Sequence, residues 1–245
     1  LEKKINFGFF TSHGGVSIGN YKSLNCSINN INKKINVKNN IKIAKKQLGI
    51  EKKKLKFINQ IHSNKVFFIN NTNYKNQFYG DALITCQKNI ALAVLTADCA
   101  PIFVFDIKNN IICCIHSGWK GTLSNIVDKS IDKMRNKKFE KYDFVAVVGP
   151  CLATKNFEVD KNFKKEFIKI NKDYKNFFKV KNKDKDFFNL RALINLQLKN
   201  AGITKIYNIN KDTYKNSSIF FSHRRSKDQK LNNTGRMINI ISLRD

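Results

Sequence analysis

Apolar residues gather along this chain in short runs, at 5–10, 66–69, 82–85, 91–95, 102–105, 111–115, 144–148, 205–209 and 237–243, each bounded by polar or turn residues. Runs of this length, rich in Ile, Val and Phe, predict strands, and those without alternation predict strands covered on both faces. A different spacing marks helices. Leu123, Ile126, Val127, Ile131 and Met134 fall on one helical face, as do Leu190, Leu193, Ile194, Gln197 and Ala201, with Asn189 placed to cap the second helix and Gly202 to end it. A third helix is expected over 37–48, stopped by Gly49. No Pro-, Gly- or Ser-rich linker divides the 245 residues and no repeat is visible, so a single α/β domain with a sheet-dominated core is predicted.

The longest apolar stretch, 90–105, is shorter than the roughly 20 residues of a membrane span and holds Asp98 in its middle. No transmembrane helix is expected. The mixed residues at 1–15 do not form the apolar segment of a signal peptide, so the expectation is a cytoplasmic protein. The six cysteines are read as reduced thiols, because a chain of this size does not need disulfide staples and Cys113 and Cys114 are adjacent in an apolar run.

Charge changes the picture less than its size suggests. The net value of +28 invites a nucleic-acid or anionic-membrane reading. Yet the 40 Lys are mixed with 34 Asn and 30 Ile over nearly the whole chain, the bias that codon drift toward A and T produces. The stretches 29–56 and 155–185 are therefore read as solvated, biased surface. Neither a specific nucleic acid nor a membrane is expected as a partner, only nonspecific electrostatic binding at low salt.

Residues that resist this drift stand out. Both prolines, the single Trp119, all four histidines and most glycines fall in a few segments: TSHGGVS at 11–17, NQIHS at 59–63, GDALIT at 80–85, TADCAP at 96–101, HSGWKG at 116–121, GP at 149–150, and SHRR to TGR at 222–236. No CxxC, HExxH, Walker loop or GxGxxG is present, so any site is assembled from distant segments. Cys99, His116 and His62 each sit at a predicted strand end or in a turn between strands, where adjacent strands can bring them together. One sulfur and two imidazoles suit a three-ligand zinc site with an open fourth position. The same atoms also suit a Cys99 nucleophile with His116 as base. Asp98, inside an apolar run, orients a neighbour, serves as general acid or base, or caps a turn by accepting backbone N–H groups. Three of the six Arg, namely Arg224, Arg225 and Arg236, lie in one segment. Guanidinium forks there suit phosphate or carboxylate oxygens, or else a buried ion pair fixing the last strand.

These segments, together with SLN at 23–25, VGPCL followed by FEVD, and the NLRALINLQLKNAGI helix, resemble in order and over nearly the full length the laccase-domain family, formerly multicopper polyphenol oxidases, of purine nucleoside phosphorylases. The resemblance implies a single α/β domain over residues 1–245, with layered mixed sheets flanked by helices, similar to a cysteine hydrolase fold. It implies one metal site on His62, Cys99 and His116, holding zinc and accepting copper in vitro, with Asp98, Cys99 and His116 as catalytic residues. It further implies phosphorolysis of adenosine, inosine and methylthioadenosine with phosphate, with adenosine deamination as a side activity. Arg224, Arg225, Arg236 and His13 are then the expected substrate- or phosphate-binding residues, and a monomer or weak homo-oligomer is expected. Other readings are a hydrolase editing a cell-wall precursor through Cys99 and His116, and a polyphenol oxidase with copper in the same site. Four histidines cannot supply a multicopper cluster. The chain departs from the family pattern at Ser12, where Arg is common and a charge is lost, and at Phe157 and His223, where Tyr is common. The turn 226–233 before TGR is also longer, and His223 is set apart from the expected functional residues.

Overall fold

The computed structural model describes residues 4–27, 34–231 and 233–244. In chain order it contains strand β1 (Ile5–Phe9), helix α1 (Lys34–Gln47), strands β2 (Lys54–Phe57), β3 (Val66–Phe68), β4 (Ala82–Thr85), β5 (Ile90–Thr96), β6 (Ala100–Asp106) and β7 (Ile111–Ser117), and helices α2 (Trp119–Leu123) and α3 (Ile126–Arg135). Strands β8 (Val145–Val148) and β9 (Glu158–Asp160), helix α4 (Lys161–Ile170), strands β10 (Phe178–Val180) and β11 (Lys185–Phe188), helix α5 (Leu190–Asn200), strand β12 (Lys205–Asn208), helix α6 (His223–Asp228) and strand β13 (Met237–Leu243) follow.

The strands form a six-stranded sheet in the order β12-β8-β6-β7-β4-β3, a four-stranded sheet in the order β1-β13-β5-β2, and a small sheet β10-β11-β9. Both larger sheets are mixed: β12 and β3 join parallel to their neighbours in the first and β2 in the second, the other pairs being antiparallel. Three apolar layers bind the sheets and helices. Ile102, Val104, Cys113 and Ile115 face Ile131, Met134, Leu193 and Ile194 of α3 and α5. The opposite face of the same sheet, with Phe103, Phe105, Ile112 and Cys114, packs on Leu92, Val94 and Ile241 of the four-stranded sheet. That sheet's outer face, with Ala91, Ala93, Ile238 and Ile240, packs on Ala44 of α1. Strand alternation explains why adjacent Cys113 and Cys114 belong to different layers. Burial on both faces explains why the central strands read as continuous apolar runs.

All nine predicted strand runs coincide with strands. Asn189 caps α5 by accepting the Ala192 N–H, and Gly202 ends it at φ 82°. The apolar stretch 90–105 is two strands in different sheets, and Asp98 lies where the chain passes between them. Three expectations need correction. The helix expected around 123–134 is broken into α2 and α3 at Asn125, which adopts a left-handed φ of 58°. Helix α6 was not expected. The stretches read as solvated surface hold structure: 29–56 contains β2 beside α1, and 155–185 contains α4 and the small sheet. Phe163, Phe167, Phe178 and Phe188 supply a ring cluster there that outweighs the surrounding lysines. All six cysteines are unpaired. Among the described residues no helix is long and apolar enough to cross a membrane.

Candidate active site and metal centre

The site forms where the chain crosses from one large sheet to the other. Residues 97–99 link β5 to β6 and carry Cys99, His116 is the penultimate residue of β7, and His62 lies in the loop after β2 with a left-handed φ of 57°. The ligating atoms of His62, Cys99 and His116 all lie within 4.8 Å of one another, with Cys99 Sγ 4.0 Å from His62 Nε2. Exposure grades across the trio, with His116 buried, Cys99 half-buried and His62 exposed. One side of the group is therefore open.

Asp81, fully buried before β4, ties the His62 loop to the His116 ring. Its carboxylate accepts the main-chain N–H groups of His62 (3.1 Å), Ile61 (3.4 Å) and Ser63, the Ser63 hydroxyl, and His116 Nδ1 at 2.8 Å. Burial works to raise its pKa, but the bonds from His116 and Ser63 outweigh that and keep it below the usual carboxylate range. Donation from Nδ1 leaves His116 Nε2 free to ligate a metal. Burial likewise opposes ionisation of Cys99, yet His116 first and His62 second bring the thiol down to about 6. The matching effect lifts His116 to about 9 against the pull of burial, through Cys99 and Asp81. Without metal, both shifts favour a thiolate facing an imidazolium near neutral pH.

The residues fit a transition metal. Sulfur with two imidazoles is a zinc-type donor set, and Asp81 is the carboxylate partner that such histidines ordinarily have. Gly118 adds a steric requirement, since a Cβ there would stand 2.8 Å from Cys99 Sγ and 3.1 Å from the His62 ring. The group is the one such cluster among the described residues.

Two cavities meet at this group and share His62, Ala97, Cys99 and His223. The first, about 450 Å³, has an aromatic wall of Trp119, Phe157 and Phe163 and is also lined by Asp98 and Arg224. The second, about 460 Å³, reaches His116 and Arg236. Asp98, at φ 89°, accepts from Thr213 Oγ1 (2.6 Å), Ser222 Oγ (3.0 Å) and the Arg224 N–H (2.6 Å), so it holds the start of α6 against the β5–β6 link. The Arg224 guanidinium donates to the Asn156 and Glu158 carbonyls and lies over the Phe157 ring. Arg236 donates through Nη1 to the Thr234 and Gly235 carbonyls.

Two predicted residues lie elsewhere. The Arg225 guanidinium donates to the carbonyls of Thr213, Tyr214 and Phe220, and His13 bonds the Ser218 carbonyl. Both line a third cavity with Ser12, one that none of the ligand trio touches. Asp81 is not marked out as a site residue by the sequence, although the GDALIT segment that carries it stands out there, and neither are the cavity positions of Trp119 and His223.

A layered α/β fold with one His–Cys–His group open to two cavities defines a protein with a single candidate transition-metal centre. The chain belongs to the family described as multi-copper polyphenol oxidoreductase laccase, which it matches over residues 6–244. A purine nucleoside phosphorylase of Campylobacter jejuni is 37% identical over 191 residues, 77% of each chain. One from Rickettsia conorii is 35% identical over 170 residues, covering 69% of this chain and 70% of the relative. The crystal structure of a Neisseria meningitidis protein superposes with a TM-score of 0.87 at 28% identity, covering 98% of this chain and 95% of the other. The hypothetical protein YfiH of Bacillus licheniformis gives 0.90 at 26% identity, covering 98% and 93%.

Proposed function

We propose that the protein is a metal-dependent purine nucleoside phosphorylase acting on adenosine, inosine and methylthioadenosine, with adenosine deamination as a side activity. The observation that carries this reading is the meeting of a His–Cys–His group with two cavities, each supplied with a guanidinium, at one wall. The names of the relatives add weight to it. In phosphorolysis an oxygen of hydrogen phosphate bonds to C1′ as the C1′–N9 bond breaks; the bonding pair leaves with the purine, which takes up the proton that phosphate gives up. The protein must therefore hold an oxyanion, seat a purine and align both on one ribose.

Arg224 and Arg236 are the candidates for the oxyanion, because Arg225 is already bonded to three carbonyls away from the trio. His62, Cys99 and His116 would hold zinc, which supplies Lewis acidity at the open fourth position. Asp98, with three donors on its two oxygens, is better suited to orienting α6 than to moving a proton. A second reading has one specific observation in its favour: the Cys99 thiol brought down to about 6 beside His116 suits a nucleophile in a hydrolase. Chromatography of inosine with zinc-loaded protein separates the two. Hypoxanthine released only when phosphate is present supports phosphorolysis, and no turnover with or without phosphate rejects it in favour of the hydrolase.

A further inference from the structure

The two cavities at the trio differ in chemistry, and the difference orients a substrate. The first is lined by as many carboxylates as Lys and Arg side chains: Asp98, Glu158 and Asp160 share the wall with Lys185, Arg224 and Lys227. It has little net charge to offer an anion, but it has three aromatic rings. Trp119 and Phe163 lie 4.9 Å apart between centroids, and Arg224 Cζ stands over the Phe157 ring at 5.7 Å from its centroid. Planar faces of this kind take up a planar heterocycle by stacking. The second cavity is lined by Arg236 and, among the described residues, by no carboxylate. Among the described residues only Nη1 of that guanidinium is bonded to protein, which leaves the Nε and Nη2 edge of the fork for a ligand. His223 and Cys99 stand in the wall common to both.

We propose that the purine base occupies the aromatic cavity against Trp119 and Phe157 while the phosphate occupies the second cavity on Arg236, so that the ribose bridges the shared wall at His62 and Cys99. This rests on the phosphorolysis reading and gives it a direction: Arg236 is the anion residue, and Arg224 helps form the base seat. The arrangement requires that base and phosphate bind together without displacing each other.

The single tryptophan makes this measurable in the unaltered, zinc-loaded protein. Titration with adenine quenches Trp119 fluorescence, phosphate alone does not, and the adenine affinity measured in saturating phosphate is unchanged or tighter. Weaker adenine binding in phosphate would place both in one cavity and overturn the proposal, as would the absence of quenching. Steady-state kinetics give a second test. Phe157→Leu raises the nucleoside KM by roughly 5- to 150-fold, the range of base-on-ring stacking, with the phosphate KM unmoved. Arg236→Lys raises the phosphate KM roughly tenfold or more, with the nucleoside KM unmoved. The reverse pattern, or equal effects on both, would overturn the assignment. Quenching by adenine in a protein that releases no base would reject phosphorolysis but not the base seat. Base release with competition between adenine and phosphate would reject the seats but not phosphorolysis.

Discussion

Burial holds five of the six cysteines protonated, taking Cys26 up to about 12 and Cys151 up to about 11 and raising Cys86, Cys113 and Cys114 as well. Cys99 alone moves the other way, to about 6, because two imidazoles face it. Below that pH a proton blocks the sulfur and above it the thiolate is exposed to reagent, so alkylation of the metal-free protein rises through pH 6 and levels off near pH 7. At pH 7 iodoacetamide adds one label, on Cys99, and zinc protects it; peptide mass spectrometry showing labels spread over several cysteines would contradict this. Metal content tests the same atoms. Elemental analysis of the zinc-loaded protein gives one ion per chain, Cys99→Ala loses it, and Gly118→Ala weakens it because its methyl group occupies the sulfur's space. Full retention of metal by Cys99→Ala would show that the ligand set is wrong. The grouping of His62, Cys99 and His116 is legible in the sequence because a Lys- and Asn-rich drift leaves such residues conspicuous. Asp81 and His223 are not, since one acts through hydrogen bonds to a loop far along the chain and the other is delivered by α6, which has no apolar periodicity to announce it.

Among elements, the same drift concealed structure. β2 and its approach read as a lysine run, yet Lys53, just before the strand, and Lys56 within it are buried with their ammonium groups on the carbonyls of Lys88, Tyr74 and Asn76, so their stems serve as apolar residues. Strands with plain apolar runs were legible because the two large sheets cover each other. β9 to β11 were not, because their ladders are short and their packing depends on rings contributed by α4. Helix α1 shows how far a polar residue can matter. Its buried Asn40 accepts the Val16 N–H at 2.8 Å and donates to Ser17 Oγ and the carbonyls of Ser23 and Asn25, tying the 11–27 segment to the helix. Asn40→Ala strands these groups, and urea denaturation should register a loss of about 2 to 3 kcal/mol. A change under about 0.5 kcal/mol, typical of surface substitutions, would mean that the network is not what holds the segment.

For the whole molecule, the charge of +28 is the loudest feature of the sequence and the least informative about the site. Binding to a random DNA duplex, followed by anisotropy, should fall by about 10³-fold or more between 50 and 200 mM salt and be indifferent to Cys99→Ala. Affinity that persists at the higher salt would restore a nucleic-acid role. The fold instead brings a sulfur and two imidazoles together where β5 passes to β6, with one guanidinium in each of the two cavities that meet there. On the proposed reading, this space joins phosphate to a ribose as a purine leaves. Phosphorus NMR of the zinc-loaded protein with inosine and inorganic phosphate tests it most directly. A sugar 1-phosphate resonance should grow in step with free hypoxanthine and be absent from Cys99→Ala, whereas hypoxanthine appearing with no phosphate ester, or no reaction at all, would rule out phosphorolysis here.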